Sequence, residues 1–95
     1  MLILRKEAEE DIRAAYEWYE KQRENLGRAF ILEIGRTLEA MEERPEAYTR
    51  CFKSIHRALC RKFPYAVYFT CKKSDIVVLA VLHQRRHPMT WQNRR

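Results

Sequence analysis

The chain has 95 residues, 46% of them hydrophobic and 34% charged, with two Gly and three Pro, which suits one small folded domain (residues 1–95) and excludes a disordered basic tail. Its formal charge of +6 is segregated: 8 Lys and Arg against 12 Asp and Glu up to Glu46 (net −4), then 11 against 1 from Ala47 onward (net +10), so an anionic or acidic partner is expected on the second half. The longest apolar run, Ile76 to Leu82, falls far short of the roughly 18 to 20 residues that cross a bilayer, and Met1-Leu2-Ile3-Leu4-Arg5-Lys6-Glu7 inverts the charge order of a secretory leader; no membrane partner and a cytoplasmic location are expected.

Met1 to Leu4 is apolar and short enough for an edge strand. From Glu7 to Arg23, Ala8, Ile12, Ala15 or Tyr16, and Tyr19 recur at helical spacing among charged residues, which predicts an amphipathic helix. Asn25-Leu26-Gly27 breaks the pattern. Leu26, Phe30, Ile34, Leu38 and Met41 then carry a second helix as far as Arg44-Pro45, where proline forces a stop. So short a connection makes the two helices antiparallel neighbours whose apolar stripes need a common surface. Ile55 to Lys62 supplies a strand that ends at Phe63-Pro64. Tyr65, Val67, Phe69 and Cys71 alternate with Ala66, Tyr68 and Thr70, and after the polar turn Lys72 to Asp75 the run Ile76 to Leu82 completes a hairpin. The fold class is therefore α+β in the order β-α-α-β-β-β, an antiparallel helical hairpin on one face of a small antiparallel sheet whose other face is left open.

Cys51, Cys60 and Cys71 are odd in number and lack Cys-x-x-Cys spacing, so they read as reduced, buried small hydrophobes, Cys71 on its strand included. His56, His83 and His87 have no spaced carboxylate or thiolate companions, and both glycines, Gly27 and Gly35, fall in the helical half. No metal and no cofactor are expected.

Period-two alternation from Ile55 puts Arg57 and Arg61 on one face of their strand and Lys62 on the other. Val81, His83 and Arg85 share a face at the end of the last strand, with Arg86, His87 and Arg94 following. Basic residues beside strands commonly form solvated rims; the gathering of several at one end of the sheet is what singles these out. Guanidinium groups there can hold phosphates or carboxylates, and histidine can transfer a proton near neutral pH. Trp91 reads as an anchor for the tail, and Trp18 as core unless exposed, in which case it marks a partner surface.

Several segments together carry a family signature: Ala8-x-x-Asp11-Ile12, Trp18-Tyr19-Glu20, Leu26-Gly27 through Phe30 and Ile34 to Leu38, Arg44-Pro45-x-x-Tyr48, Arg61-x-Phe63-Pro64-Tyr65-x-Val67-Tyr68, and His83-x-x-Arg86-x-Pro88-x-x-Trp91. In order and spacing they resemble the RelE/ParE superfamily, the growth-arresting toxins of bacterial type II toxin-antitoxin modules. The resemblance implies the fold derived above, no cofactor, and a cognate antitoxin whose acidic, apolar segment folds as it wraps the toxin.

It also implies one of two targets. Members resembling ParE inhibit DNA gyrase and need a fitted surface rather than catalytic groups; Arg57, Arg61, Arg85, Arg86 and Trp91 are then the residues for target or antitoxin. Members resembling RelE are endonucleases that cut messenger RNA in the ribosome. For that chemistry Arg61 and Arg86 would hold the phosphate, and His83 or Lys62 would move protons. The helical hairpin, Phe63-Pro64-Tyr65 and the His-x-x-Arg-x-Pro ending are nearer the ParE branch and its plasmid-stabilisation relatives. The tail also has Trp91 where many of the ribonucleases carry a tyrosine. A basic nucleic-acid-binding module without toxicity is the third reading.

Overall fold

The computed structural model describes residues 1–85 and Arg94. The chain runs β1 (Leu2–Leu4), α1 (Lys6–Gln22), α2 (Leu26–Glu43), a 3₁₀ turn at Pro45–Ala47, β2 (Arg50–Phe52), β3 (Ile55–Leu59), β4 (Tyr65–Lys72) and β5 (Asp75–His83). The five strands form one sheet in the order β1-β5-β4-β3-β2. Among the described residues no helix is long and apolar enough to cross a membrane.

The expected α+β order holds, with three differences of detail. A further strand, β2, precedes the three expected after the helices and pairs antiparallel with β3. Strand β1 joins the otherwise antiparallel sheet parallel to β5, with Leu2 opposite Ile76 and Leu4 opposite Val78. The strand expected over Ile55 to Lys62 stops at Leu59, because the backbone N–H groups of Arg61 and Lys62 turn to the Glu33 carboxylate on α2.

The turns explain how the chain reverses with so little glycine. Lys53 (φ 51°) and Lys73 (φ 57°) each sit in the left-handed region, and each is followed by serine in a two-residue link between strands. Asn25, between the helices, has φ 69°, a conformation asparagine tolerates better than most residues. Glu20 of α1 then caps α2, its carboxylate accepting the N–H groups of Asn25 and Gly27, each at 2.9 Å. A negative charge there also suits the positive end of the helix dipole.

The helices bury Ala8, Ala15, Tyr19, Phe30, Ile34 and Met41 against Ala58, Tyr65, Val67, Phe69, Ile76, Val78 and Val81 of the sheet. Tyr19, Phe30, Phe63 and Tyr65 form an aromatic cluster at the end of the sheet where β4 begins, with ring centroids from 4.9 Å (Tyr19 to Phe63) to 6.1 Å (Tyr19 to Tyr65). The opposite face is apolar rather than openly polar. Ile55, Ala66, Tyr68, Val77, Leu79, Ala80 and Leu82 form a second buried cluster there. Both clusters draw on one apolar run because successive β5 side chains point to opposite faces, and a bulge, where Tyr68 pairs with Ala80 and Phe69 with Val78, leaves Leu79 extra and shifts the alternation beyond it.

Of the three cysteines, all free thiols, Cys60 is buried, Cys51 half-buried and Cys71 exposed. The expectation of burial therefore fails for Cys71, which lies at the end of β4 where the strand has run past the core.

Candidate functional site

Register brings the expected cations to one end of the sheet but does not merge them into one cluster. Leu59 pairs with Ala66 and Tyr65 with His83, so the β3–β4 connection, with Arg61 and Lys62, lies beside the end of β5, with His83 and Arg85. The connection is stitched there by Cys60 N–H to the Tyr65 carbonyl and Gln84 N–H to the Pro64 carbonyl, both at 2.9 Å. Arg57 lies further back on β3, opposite Tyr68, and hydrogen-bonds its phenol. Arg61 lies beyond the strand and beside α2, so Arg57 and Arg61 do not share the strand face that alternation assigns them. Arg86 and Trp91 lie outside the described residues.

Two histidines have specific engagements. The His56 ring stacks on Phe69 at 5.3 Å and 20°, and its Nδ1 lies 3.0 Å from the Tyr48 carbonyl. Nδ1 of His83 accepts the Arg85 backbone N–H at 3.1 Å, which places the proton of a neutral ring on Nε2. Its ring also meets Tyr65 edge-on at 5.4 Å. One of the two nitrogens that a proton-transfer role would use is thus committed to the turn after β5.

Two clefts flank this end. The first, about 210 Å³, lies between α1 and β5 and is lined by Asp11, Ala14, Ala15, Trp18, Tyr65, Val81, Leu82 and His83. Trp18 is 46% exposed and stands outside the buried core, with its ring edge-on to Tyr19 at 5.1 Å. At the edge of this cleft, beyond the last β1 residue, β5 has outward-facing backbone groups that side chains satisfy. Asp11 accepts the Val81 N–H at 3.1 Å and pairs with Arg94 at 2.6 Å. Arg94 also reaches the Leu79 carbonyl at 3.5 Å, and Arg5 donates to the Arg94 carbonyl at 3.0 Å.

The second cleft, about 310 Å³, lies between α2 and the β3–β4 connection, lined by Glu33, Arg36, Thr37, Ala40, Tyr48, Leu59, Arg61 and Lys62. Glu33 is 4% exposed. Its carboxylate accepts the N–H of Arg61 at 2.8 Å and, more weakly, that of Lys62 at 3.4 Å, and lies 3.7 Å from the Arg36 guanidinium. Sequence reasoning gives Glu33 no role, although its place between Phe30 and Ile34 on the apolar stripe is a signal, since a carboxylate there must find buried partners.

Burial pushes the Tyr68 phenol above its usual range, against the opposing hydrogen bond and charge of Arg57. The phenol is therefore a proton donor at neutral pH and not a base. The folded state holds this proton more tightly than the unfolded chain. Stability is thus full below about pH 10, the ordinary tyrosine value, and falls as the pH rises above it. Alkaline denaturation followed by circular dichroism is expected to show that decline, and Tyr68→Phe to reduce its steepness; an unchanged slope in the variant would remove Tyr68 as the cause. Burial likewise raises the Cys60 thiol, against a hydrogen bond from Thr37, and the Cys51 thiol, against the charge of Arg57, so neither is a ready nucleophile. Among the described residues, no three His, Cys, Asp or Glu side chains are grouped as metal ligands.

Residues 2–88 match the family described as the ParE toxin of the type II toxin-antitoxin system parDE. The chain belongs to the ParE toxin family. A solved structure titled "Chromosomal ParDE TA system from P. aeruginosa" has the same fold, with a TM-score of 0.78 over 86% of this chain and 92% of that one at 14% identity. No curated protein matches the sequence. The matched residues take in every described strand and helix of this ParE-family chain, so the family assignment and the architecture rest on the same elements.

Proposed function

We propose that this ParE-family chain arrests growth by inhibiting DNA gyrase and is neutralised by a cognate antitoxin. The observation that carries the reading is the family match over residues 2–88. The arrangement of side chains is compatible with a protein that acts by its surface. Arg57 is taken up with Tyr68, Arg61 and Lys62 present their backbone to Glu33, and His83 spends Nδ1 on Arg85. The net charge of +10 from Ala47 onward suits both an acidic antitoxin segment and a target that handles DNA.

Purified protein added to gyrase and relaxed plasmid is expected to block supercoiling, and antitoxin to restore it. Undiminished supercoiling at saturating protein would overturn the gyrase reading. Primer extension on translated messages run in parallel separates the rival. Cuts within codons that disappear in the His83→Ala, Arg86→Ala double variant would assign the ribosome as target instead.

A further inference from the structure

Opposite the face that α2 buries, the helix carries a pattern that the fold of one chain does not use. At about 100° per residue, Arg28, Leu32, Gly35 and Glu39 fall in one stripe directed away from the buried Phe30, Ile34 and Met41. Leu32 is 54% exposed, and Ile31 beside it 40%. A Cβ on Gly35 would meet nothing within 4 Å, so the glycine weakens the helix by about 1 kcal/mol against alanine without making room for any neighbour. The charges of α2 also run against its dipole. Arg28 lies in the first turn, which has no acid, and Glu42 and Glu43 lie in the last, which has no base; the opposite signs are the favourable ones at each end. Among the described residues, Arg28, Glu39, Glu42 and Glu43 form no ion pair that offsets this.

We propose that this stripe joins two copies of the chain through antiparallel α2 helices related by a two-fold axis. Setting Leu32 of each copy level with the partner's Gly35 brings Arg28 level with the partner's Glu39, because Arg28 to Leu32 and Gly35 to Glu39 are both steps of four residues. The match is the same for both copies, as a two-fold interface requires. Leu32 then occupies the space that the absent Cβ leaves, and the glycine lets the two backbones approach. In the same register the start of each α2 lies level with the partner's Glu42 and Glu43, so acids that oppose the dipole of their own helix meet the positive end of the other. Charge complementarity selects a second copy over an acidic segment or a nucleic acid, both of which Glu39, Glu42 and Glu43 would repel. A single helix pair is a small interface, under about 1,200 Å² in total, so the dimer is weak and reversible, with a Kd of about 10–100 µM. It is independent of which target the chain inhibits.

The test is sedimentation equilibrium of the full chain over about 5–500 µM, which brackets that Kd. Arg28→Glu and Glu39→Arg, each alone, set like charges level with each other twice per dimer, and each is expected to weaken association about tenfold. An equimolar mixture of the two variants is expected to associate as tightly as wild type, since in a heterodimer both pairs again have opposite signs. Leu32→Gln is expected to weaken association about tenfold by removing the apolar contact from both copies, and Gly35→Gln by a similar factor by filling the space that Leu32 enters. Arg61→Gln/Lys62→Gln, away from the stripe, serves as the control expected to associate as wild type.

Thermal melts at about 2 µM, where the chain is monomeric by the Kd above, check that the variants fold; Arg28→Gln and Leu32→Gln, expected to weaken association to a smaller and an equal extent, serve should a charge reversal fail that check. A wild-type chain that stays monomeric up to the highest concentration overturns the proposal and leaves the toxin reading standing. So does wild-type association in the single variants, or a mixture of Arg28→Glu with Glu39→Arg that associates no better than either alone. Weakening by Arg61→Gln/Lys62→Gln instead makes the contact one between the acidic hairpin of one copy and the basic sheet of the next, and likewise overturns the two-fold helix pair.

Discussion

Asp11→Ala is expected to lower the stability of the fold by about 2–3 kcal/mol, a drop of roughly 10–20 °C in Tm for a domain of this size. The carboxylate serves two groups at once: the Val81 N–H, on the part of the β5 edge that β1 does not cover, and the Arg94 guanidinium, whose further contact with the Leu79 carbonyl is longer at 3.5 Å. Both partners are largely out of water, with 14% of the Asp11 side chain and 20% of that of Arg94 exposed. Truncation therefore leaves a poorly solvated charge and an unsatisfied backbone donor, which costs more than an exposed ion pair contributes. Asp11→Asn keeps an acceptor for Val81 and loses the charge facing Arg94, so it is expected to cost about half as much. Amide exchange at Val81 is the local measurement. It should quicken in Asp11→Ala and stay near wild type in Arg94→Ala, which leaves the Asp11 to Val81 bond in place. Equal exchange in all three proteins would show that the edge is held by something else.

The reach of these contacts also shows where sequence reasoning stops. Asp11 enters it only as part of a family signature, because Val81 and Arg94 are 70 and 83 residues away and nothing local predicts them. The helical hairpin is legible because Ala8, Ala15, Tyr19, Phe30, Ile34 and Met41 recur at the period of one buried face. The β4–β5 hairpin is legible because a polar turn separates two long apolar runs. Strand β2 is not, being three residues of Arg-Cys-Phe whose turn relies on lysine rather than glycine or asparagine. Its signal is the Lys-Ser pair at 53–54, which recurs at 73–74 in the turn that is recognised.

The candidate site is legible in its location and not in its geometry. Charge counting and strand order bring Arg61, Lys62, His83 and Arg85 to one end of the sheet. Strict alternation then assigns Arg61 to the face of Arg57, and this fails because a buried glutamate on another element ends the strand at Leu59. Periodicity describes a strand only as long as the ladder is its best source of hydrogen bonds. At Arg61 a buried carboxylate at 2.8 Å is the stronger acceptor.

Alanine at the two glycines of α2 is expected to shift stability in opposite directions. At Gly35 a Cβ would meet nothing within 4 Å, so Gly35→Ala should gain about 0.5–1 kcal/mol from helix propensity and a less flexible unfolded chain. At Gly27 the same Cβ would lie 2.7 Å from the Tyr16 carbonyl oxygen, 2.8 Å from the Tyr16 ring and 2.8 Å from Glu20 Oε1. The Glu20 side chain can swing aside only by giving up its bonds to the Asn25 and Gly27 N–H groups, and the Tyr16 carbonyl moves only if α1 moves. The helices must then separate where Tyr19 packs on Phe30 with centroids 5.4 Å apart. Gly27→Ala should therefore lose about 2 kcal/mol net, the helix-propensity gain of about 1 kcal/mol being outweighed by overpacking. Urea melts of the two variants at matched protein concentration decide the matter through the sign of the change. If Gly27→Ala were stabilised to the same extent as Gly35→Ala, the close crossing of α1 and α2 would be wrong, and with it the capping of α2 by Glu20. If the signs differ, Gly27 is the residue that sets how near the acidic helical hairpin closes on itself, and so how the aromatic cluster beneath it meets the basic sheet.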